Sequence, residues 1–424
     1  MKALLGTIGT RYLIAVLNLA LIFINAKVLG VEGVGLVGLI VAAIGISTIV
    51  CGILAGNTIV YFMNRYSIQS IFFPSYCWTP IGAGIACGCM ALVGLLPEGY
   101  GIDIYILSIL NSLIAANSRF LLGKNHIWGF NLTFVLQGGL LFFALLWIYY
   151  GLNQQGVTAY LYGLYITYGI AFLVSLFLLL PFLTKKEVNN RPEHSLYTLL
   201  KEMFQYGLWG SADNVAETLT TRLNYFLIKR FAGLSSVGLL DAGTKISESV
   251  WHINRSIGFI EYSRVAQTVD PLEQKLITLR FFKFTLCAVL LATGCILLIP
   301  EWIYTDFLFS PEFVGMREVI TGLSVGIVAF AGNSILSQYF IGSGKIRYSA
   351  YCSFIGLTSL LCSGYLLIPL FGIIGSAIST SIAFCAMLTY SVTIFCQKTG
   401  CRLQEFRISK EDIQFVLNKF KRDS

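Results

Sequence analysis

The chain carries few charges for its length. Aspartate, glutamate, lysine and arginine together make up 12% of its 424 residues, whereas hydrophobic residues make up 56%. A soluble globule of this size needs more polar residues than that to cover its surface. The composition therefore excludes an ordinary soluble protein and predicts an all-α polytopic membrane protein.

Residue patterns that mark common enzymes are also missing. The sequence has no phosphate-binding loop and no nucleophile constellation, which argues against ATP-driven transport and against catalysis by this chain. Its three histidines do not stand at metal-ligand spacing with the 11 cysteines, most of which fall within apolar stretches. We therefore expect no enzyme activity, no cofactor, no metal site and no disulfide.

Long apolar stretches are what the chain has instead. A membrane-spanning helix takes about 20 apolar residues, and the sequence offers roughly twelve such stretches. They cover about residues 7–29, 36–60, 78–96, 104–122, 130–150, 158–180, 206–228, 236–259, 282–300, 319–341, 350–370 and 373–396. The first stretch is too long, and too poor in a small-residue cleavage site, for a removed signal peptide. We expect it to be the first permanent span.

The two halves of the chain repeat each other. The segment LGVEGVGLVG at 29–38 returns as AGLSSVGLLD at 232–241, so the offset is 203 and Gly30 matches Gly233. Further matches are Gly35 with Gly238 and Pro97 with Pro300 at 203, and Gly123 with Gly344 and Gly151 with Gly372 at 221. The change of offset indicates an insertion of about 18 residues after Pro300. Ordered matches indicate duplication, and duplicated halves in a bilayer usually mean transport.

The repeat predicts two lobes. We expect an N-terminal six-helix lobe at 1–183, a cytoplasmic linker at 184–203, a C-terminal six-helix lobe at 204–400 and a cytoplasmic amphipathic tail at 401–424. An even number of spans gives both lobes the same orientation, so a pseudo-two-fold axis along the membrane normal should relate them around a central cavity. The substrate path would lie between the lobes.

Basic residues gather in the loops on one side of the predicted spans. Cytoplasmic loops retain lysine and arginine, so both termini are predicted to be cytoplasmic. The net charge of +8 fits inward-facing loops next to anionic membrane lipids, and we expect no nucleic acid partner. In the tail, Ser409 and Asp412 fit the start of an amphipathic helix that would lie along the inner leaflet.

The eighth span carries a ladder of polar groups. Its members are Asp241, Lys245, Glu248, His252 and Arg255, spaced by 4, 3, 4 and 3 residues. This spacing places them on one face of one helix. A charge at the bilayer centre costs roughly 2.5 to 3.5 kcal/mol, so such groups face one another or a watery cavity. They form either a structural ion-pair network or a cation-lined vestibule for an anionic cargo.

The rest of the predicted interior is chemically uneven. The seventh span adds polar residues on much the same side, namely Asp213, Asn214, Glu217, Thr220, Thr221 and Asn224, with Arg222 off that face. In the first repeat, the positions equivalent to the ladder are Gly38, Ala42, Gly45, Ile49 and Gly52, a face of small residues suited to close helix contact. The first-repeat cations comparable to the ladder are Arg11 and Arg119.

Three segments carry a family resemblance. They are LGVEGVG at the end of the long first span, Gly123-Lys124 after the fourth span, and FGIIGSA at 371–377 before the last span. With these, nearly the whole chain resembles the polysaccharide-exporter family, which includes the O-antigen (Wzx-type) flippases of the multidrug/oligosaccharidyl-lipid/polysaccharide (MOP) superfamily. The resemblance implies two six-helix bundles around a cavity in a bacterial inner membrane. It also implies flipping of undecaprenyl-diphosphate-linked oligosaccharide to the periplasmic leaflet, with polysaccharide polymerase machinery as a partner.

The implied cargo suits the residues of the chain. A diphosphate carries negative charge and acceptor oxygens, for which arginine is the preferred partner and lysine a point charge. The expected headgroup contacts are Arg11, Arg222, Lys245 and Arg255, and the expected sugar contacts are Asn18, Asn214 and Asn224. The expected groups for coupling to H⁺ or Na⁺ are Asp213, Glu217, Asp241 and Glu248. The acidic residues could equally neutralise the neighbouring cations.

Two other functions compete with this interpretation. A drug or cation antiporter of the same superfamily would bind cations through acidic cavity residues, but the sequence places Glu32, Glu98 and Asp103 of the first lobe in loops. A membrane glycosyltransferase or polymerase would act on the same lipid-linked sugars. Such enzymes need catalytic groups on sizeable outer loops, whereas the outer loops predicted here are short.

Overall fold

The computed structural model describes residues 2–63, 66–124, 126–184, 196–268, 270–345 and 347–407. At several helical positions, among them 2–13, 209–214, 252 and 255, only the backbone is described. The described residues form helices and connecting turns and contain no strand. The helices are α1 (Lys2–Ala55), α2 (Asn57–Met63), α3 (Ile68–Leu92), α4 (Gly101–Gly123), α5 (Ile127–Leu146), α6 (Val157–Thr184), α7 (Leu196–Gln267), α8 (Pro271–Leu297), α9 (Met316–Gly342) and α10 (Arg347–Thr399).

All of the predicted spans lie largely within helices. Seven helical segments of the described residues are long and apolar enough to cross a membrane, and two of them contain 48 and 53 residues. At 1.5 Å per residue, about 50 residues reach roughly 75 Å, more than twice the roughly 30 Å hydrocarbon core. Each of these two segments therefore holds two spans. Among the longest helices, α3 and α7 fall outside the seven, because prolines interrupt the apolar run of α3 and charges that of α7.

Glycine breaks the three longest helices. Gly30 in α1 has φ 66° and ψ −179°, and Gly233 in α7 has φ 83° and ψ −178°. Glycine alone adopts this backbone region readily. The two repeat-equivalent positions thus share one conformation, which supports the offset of 203. At the offset of 221 the backbone differs: Gly344 and Gly372 have positive φ, whereas Gly123 and Gly151 are helical.

Several helices extend beyond the predicted apolar stretches. α3 begins at Ile68 and contains Pro74 and Pro80, so the residues before 78 are helical as well. α8 begins at Pro271, where Asp270 caps it by accepting a hydrogen bond from the Leu272 N–H at 3.0 Å. Residues 196–203 of the predicted linker belong to α7, and residues 185–195 lie outside the description, as does the predicted tail helix beyond residue 407.

Two acidic residues predicted to lie in loops are helical. Glu32 belongs to α1, two residues after its kink. Asp103 lies in the first turn of α4, where a negative charge is favoured by the helix dipole, and it accepts a hydrogen bond from the Tyr165 hydroxyl at 2.8 Å. Glu98 does lie in the turn before α4. The first half of the chain therefore carries acidic groups on its helices, contrary to expectation.

The chain divides into two compact units. Unit 1 comprises Met1–Ala242 with Thr305–Phe313, and unit 2 comprises Gly243–Tyr304 with Val314–Ser424. This division falls within α7, so the lobe boundary at 184–203 stays a prediction. The residues inserted after Pro300 fold into a π-helical turn at Ile303–Leu308 and a 3-10 turn at Pro311–Phe313. The second of these turns belongs to unit 1, although the chain on either side of 305–313 belongs to unit 2.

Unit 1 packs α1 closely against α7. A Cβ atom added at Gly35 would overlap the Leu234 carbonyl oxygen and lie 2.8 Å from the Gly238 nitrogen. A Cβ atom added at Gly238 would overlap the Val31 carbonyl oxygen. Residues 234 and 238 are the repeat equivalents of 31 and 35, so each of the two glycines contacts the carbonyl oxygen of an equivalent residue in the other repeat. A hydrogen bond beside this contact also joins repeat equivalents: Ser235 Oγ donates to Glu32 Oε1 at 3.2 Å, and the two positions differ by 203.

The segment that follows α10 packs against the helices of unit 2. The 3-10 turn Leu403–Phe406 packs against α8, with Phe406 against the rings of Phe282 and Phe395 at 5.0 and 6.0 Å. Glu405 Oε2 pairs with Lys275 Nζ at 2.7 Å, and its Oε1 accepts the Arg402 N–H at 2.8 Å. The Lys275 ammonium lowers the pKa of the Glu405 carboxyl from its ordinary value of 4.5.

We expect the Glu405→Gln variant to lose this attachment. A carboxyl whose folded pKa is lowered contributes stability above its unfolded pKa, and the contribution disappears as the pH falls through the lowered value. Because Glu405 is partly exposed, the loss should be about 1 kcal/mol or less at neutral pH. Melting temperatures of wild type and variant should differ at neutral pH and converge in acid. Glu98→Gln, in an exposed turn, is the control and should show no such convergence.

Candidate functional site

Most of the predicted site residues lie along α7, whereas Arg11 and Asn18 lie on α1. Helix α7 runs from Leu196 to Gln267 and is broken at Gly233, so it contains both the seventh and the eighth predicted spans. The ladder positions 241, 245, 248, 252 and 255 lie in its helical second part. The predicted one-face arrangement of their backbone positions is therefore correct.

In the part of α7 before the Gly233 kink, Arg222 contacts a neighbouring side chain of its own helix. Arg222 Nη1 donates to the Tyr225 hydroxyl at 3.1 Å, and the guanidinium carbon lies 5.6 Å from the centre of the Tyr225 ring. Asn224 is buried and Glu217 is half-buried. Asn224 is thus inside the protein, and Glu217 and Arg222 are partly covered. Arg222 lies against its own helix.

Asp241 is buried against its repeat equivalent. Its side chain is 1% exposed. A Cβ atom added at Gly38 would lie 3.0 Å from Asp241 Cγ and 3.2 Å from its Oδ1. The carboxylate therefore occupies the space that a side chain at position 38 would need. This confirms close helix contact at the first position of the small-residue face.

The other described ladder residues belong to unit 2. Lys245 and Glu248 are half-buried. Asp241, Lys245 and Glu248 all take part in polar or electrostatic interactions. The three described ladder residues are therefore all engaged, and the division between the two units falls between Asp241 and Lys245.

Several predicted residues cannot be placed in this way. The side chains of Arg11, Asp213, Asn214, His252 and Arg255 lie outside the described part of the structure, although their backbone is helical. Asn18 is exposed on α1. Among the predicted cargo contacts, the structure therefore describes the side chains of Asn18, Arg222, Asn224 and Lys245. Within the described residues, no group of three or more histidine, cysteine or acidic side chains could hold a metal ion.

Sequence reasoning missed two carboxylates. Glu261 is fully buried in α7, two residues past the predicted end of the eighth span. It follows Asn254 by seven residues and so lies on the same face of the helix, a signal that the sequence contains. Glu312, in the inserted segment, accepts the Val31 N–H at 2.8 Å across 281 residues. No local pattern in the sequence could have revealed that contact.

Comparison with solved structures identifies the fold. A multidrug resistance MATE family transporter of the MOP superfamily, in an inward-facing conformation, matches with a TM-score of 0.70 and 15% identity over 91% of this chain and 94% of its own. The lipid II flippase MurJ, in an inward closed conformation, matches with a TM-score of 0.69 and 13% identity over 99% of this chain and 93% of its own.

Sequence comparison adds less. No family model matches the chain. An uncharacterized membrane protein of Methanocaldococcus jannaschii is 23% identical over 197 residues, which is 46% of this chain and 39% of that protein. The chain thus matches about two fifths of the length of that relative. The all-α polytopic fold predicted from the sequence is confirmed, and it is the fold of the MATE multidrug transporters and of the lipid II flippase.

Proposed function

We propose that the chain is a membrane transporter that flips a lipid-linked oligosaccharide, carried on a polyprenyl diphosphate, between leaflets of the cell membrane. Two proteins of this fold are a multidrug transporter and a lipid II flippase. The Wzx-type resemblance of the sequence favours the flippase, with transfer from the cytoplasmic to the periplasmic leaflet. The proposal includes cytoplasmic termini, two six-helix lobes joined at 184–203, and no enzyme activity.

The observation that carries the proposal is the placement of cationic side chains inside α7. Arg222 and Lys245 are both half-buried on one helix that contains two spans, and Asn224 is buried beside Arg222. Cations are costly within a membrane-spanning helix and are retained there for a function or a partner. A diphosphate is a partner that accepts hydrogen bonds from both types of cation. Membrane lipids and polysaccharide polymerase machinery are the further partners that this function implies.

A second candidate function is multidrug or cation antiport. The observation that favours it is the burial of acidic groups: Asp241 is 1% exposed and Glu261 is 0% exposed. Asp213, Glu217, Asp241 and Glu248 are the sequence-based candidates for coupling to H⁺ or Na⁺. In a flippase the same groups would couple cargo movement to an ion gradient, so the two functions differ in cargo rather than in this chemistry.

We expect Arg222→Ala and Lys245→Ala to lower export of the lipid-linked oligosaccharide about 10-fold or more. A lost charge-assisted hydrogen bond is worth about 1.5 to 3 kcal/mol, and 1.4 kcal/mol corresponds to a factor of ten. The measurement is the amount of lipid-linked oligosaccharide left in the inner leaflet of cells that carry each variant in place of the wild-type protein. Lys201→Ala is the matched control, because Lys201 is exposed on the same helix. It should export like wild type.

Two results would contradict the flippase. If cells lacking the protein export the oligosaccharide normally while their drug sensitivity changes, the antiporter is the correct function. If both variants export like Lys201→Ala at equal expression, the cations of α7 do not contact the cargo.

A further inference from the structure

The interface between α7 and α8 in unit 2 contains buried polar atoms to which the proposed flippase function assigns no role. The two helices are antiparallel, and their register is fixed at the turn that joins them. Gln274 Nε2 of α8 donates to the Val265 carbonyl oxygen of α7 at 3.1 Å. One turn further, the Glu261 carboxyl lies beside the Thr278 hydroxyl. Residue numbers of facing positions therefore sum to 539.

Glu261 is the central group of this interface. Its side chain is 0% exposed, and neither carboxyl oxygen has a hydrogen-bond partner among the described residues. The neighbouring Thr278 hydroxyl donates its proton to the Gln274 carbonyl oxygen at 3.0 Å. The same hydroxyl is also near enough to donate to the Glu261 carboxyl instead. An ionised Glu261 would therefore be a buried charge with one shared hydroxyl as a donor and, among the described residues, no cation paired with it.

The polar character continues along the same interface. The register of 539, extended by two turns, predicts that Asn254 of α7 faces Thr285 of α8. Both residues are 0% exposed, and the amide nitrogen and oxygen of Asn254 and the hydroxyl of Thr285 lack partners within the described structure. Buried polar atoms without protein partners normally bind water or an ion. Glu261, Asn254 and Thr285 therefore form a row of buried polar groups along the interface that can bind water or a small ion.

The described charged side chains near Glu261 contact other partners. Lys275 of α8 pairs with Glu405 of the segment after α10 at 2.7 Å. Arg264 of α7 is exposed, and its guanidinium carbon lies 5.5 Å from the Phe281 ring centre. α9 contributes the buried Tyr339, with the Lys345 ammonium 5.6 Å from its ring centre, and the uncharged Gln338, whose Cγ would lie 3.2 Å from a Cβ atom added at Gly258.

A buried carboxylate without a counter-ion is strongly unfavourable, and a bound proton removes the charge. We propose that Glu261 is a proton-binding site, and that Asn254 and Thr285 hold the water through which the proton is exchanged. The carboxyl binds the proton on one oxygen as an O–H group and releases it when water reaches the interface. This site is separate from the ladder groups Asp241, Lys245 and Glu248, which are engaged with other partners.

The first test does not depend on transport. Infrared spectra of the purified full-length protein at neutral pH should contain a protonated-carboxyl band that is missing from Glu261→Gln. The band should remain in Glu273→Gln, whose carboxyl is exposed in the first turn of α8. Glu261→Asp should keep a protonated-carboxyl band at a shifted frequency. An unchanged band in Glu261→Gln overturns the proposal, and so does a wild-type band that vanishes when sodium replaces choline at constant pH, which would assign the site to Na⁺.

Stability provides a second readout should a variant express poorly. Glutamine imitates the neutral carboxyl, so the melting temperature of wild type should fall more steeply than that of Glu261→Gln as the pH rises above the ordinary carboxyl range. Equal pH profiles of the two proteins contradict the proposal. The consequence for coupling rests on the proposed function: in proteoliposomes, Glu261→Gln should keep downhill transport and lose its response to a pH gradient. If no transport is found in wild type, the proposed function fails while the infrared result still decides the proton site.

Discussion

Replacing Gly238 with alanine is expected to destabilise unit 1 by about 3 kcal/mol or more. The added methyl group would overlap the Val31 carbonyl oxygen, which belongs to the backbone and cannot rotate away. Overpacking of a close contact usually costs about 1 to 3 kcal/mol, and more where backbone must move. The melting temperature of the detergent-solubilised protein should fall clearly. Gly45→Ala is the matched control, because a Cβ atom at Gly45 meets nothing within 4 Å.

The symmetry of this contact allows a sharper test. Gly35→Ala should also destabilise, since its methyl group would overlap the Leu234 carbonyl oxygen on the opposite side of the same crossing. Once α1 and α7 have separated to accept one methyl group, the second should cost less. The double variant should therefore lose less stability than the sum of the single losses. Full additivity of the two losses would show that the two glycines do not share one crossing.

Removing the Glu312 carboxylate is expected to weaken the helix that begins after the Gly30 kink. Glu312 Oε2 accepts the Val31 N–H at 2.8 Å, at the start of a helical segment whose first N–H groups have no helical partner. Substituting such a capping group usually costs about 0.5 to 2 kcal/mol. Glu312→Ala should therefore melt at a lower temperature, and the Val31 amide should exchange its hydrogen faster. Glu98→Ala, in an exposed turn, is the control for the loss of a carboxylate.

Gly30 and Gly233 together isolate the contribution of this carboxylate. Alanine at either position is strained by the positive φ, at a cost of about 1 to 3 kcal/mol. At Gly30 the methyl group would also lie 2.8 Å from Glu312 Oε2, whereas at Gly233 it would meet nothing within 4 Å. Gly30→Ala should thus cost more than Gly233→Ala. The difference should disappear when Glu312 is alanine too, and its persistence would contradict the assigned contact.

Much of the helical architecture was predictable, because it depends on local patterns. Apolar runs gave the helices, and the recurrence of Gly30 at Gly233 marked two kinks of one conformation. The steps of four and three residues gave the face of α7 correctly, since they depend only on the helical repeat. Boundaries were less reliable at α3, because its internal prolines look like the end of a helix although they lie within it.

The missed groups show where local patterns stop. Glu312 touches Val31, and nothing near either residue in the sequence indicates the other. Glu261 lies just after an apolar run, where an acidic residue normally meets water, and only the packing of α8 against α7 shows that it is buried. Burial of a single charged side chain is decided by which helix lies opposite, and one sequence does not contain that information.

The inserted segment has a consequence for exchanging parts between relatives of this fold. Residues 305–313 belong to unit 1, while the chain before and after them belongs to unit 2. Phe309 packs against Phe23 with 5.3 Å between ring centres, and Glu312 holds Val31. A chimera joined at the linker would therefore receive the carboxylate from one parent and its amide partner from the other. Halves of two such chains can be exchanged without breaking these contacts only if residues 305–313 come from the same parent as Phe23 and Val31.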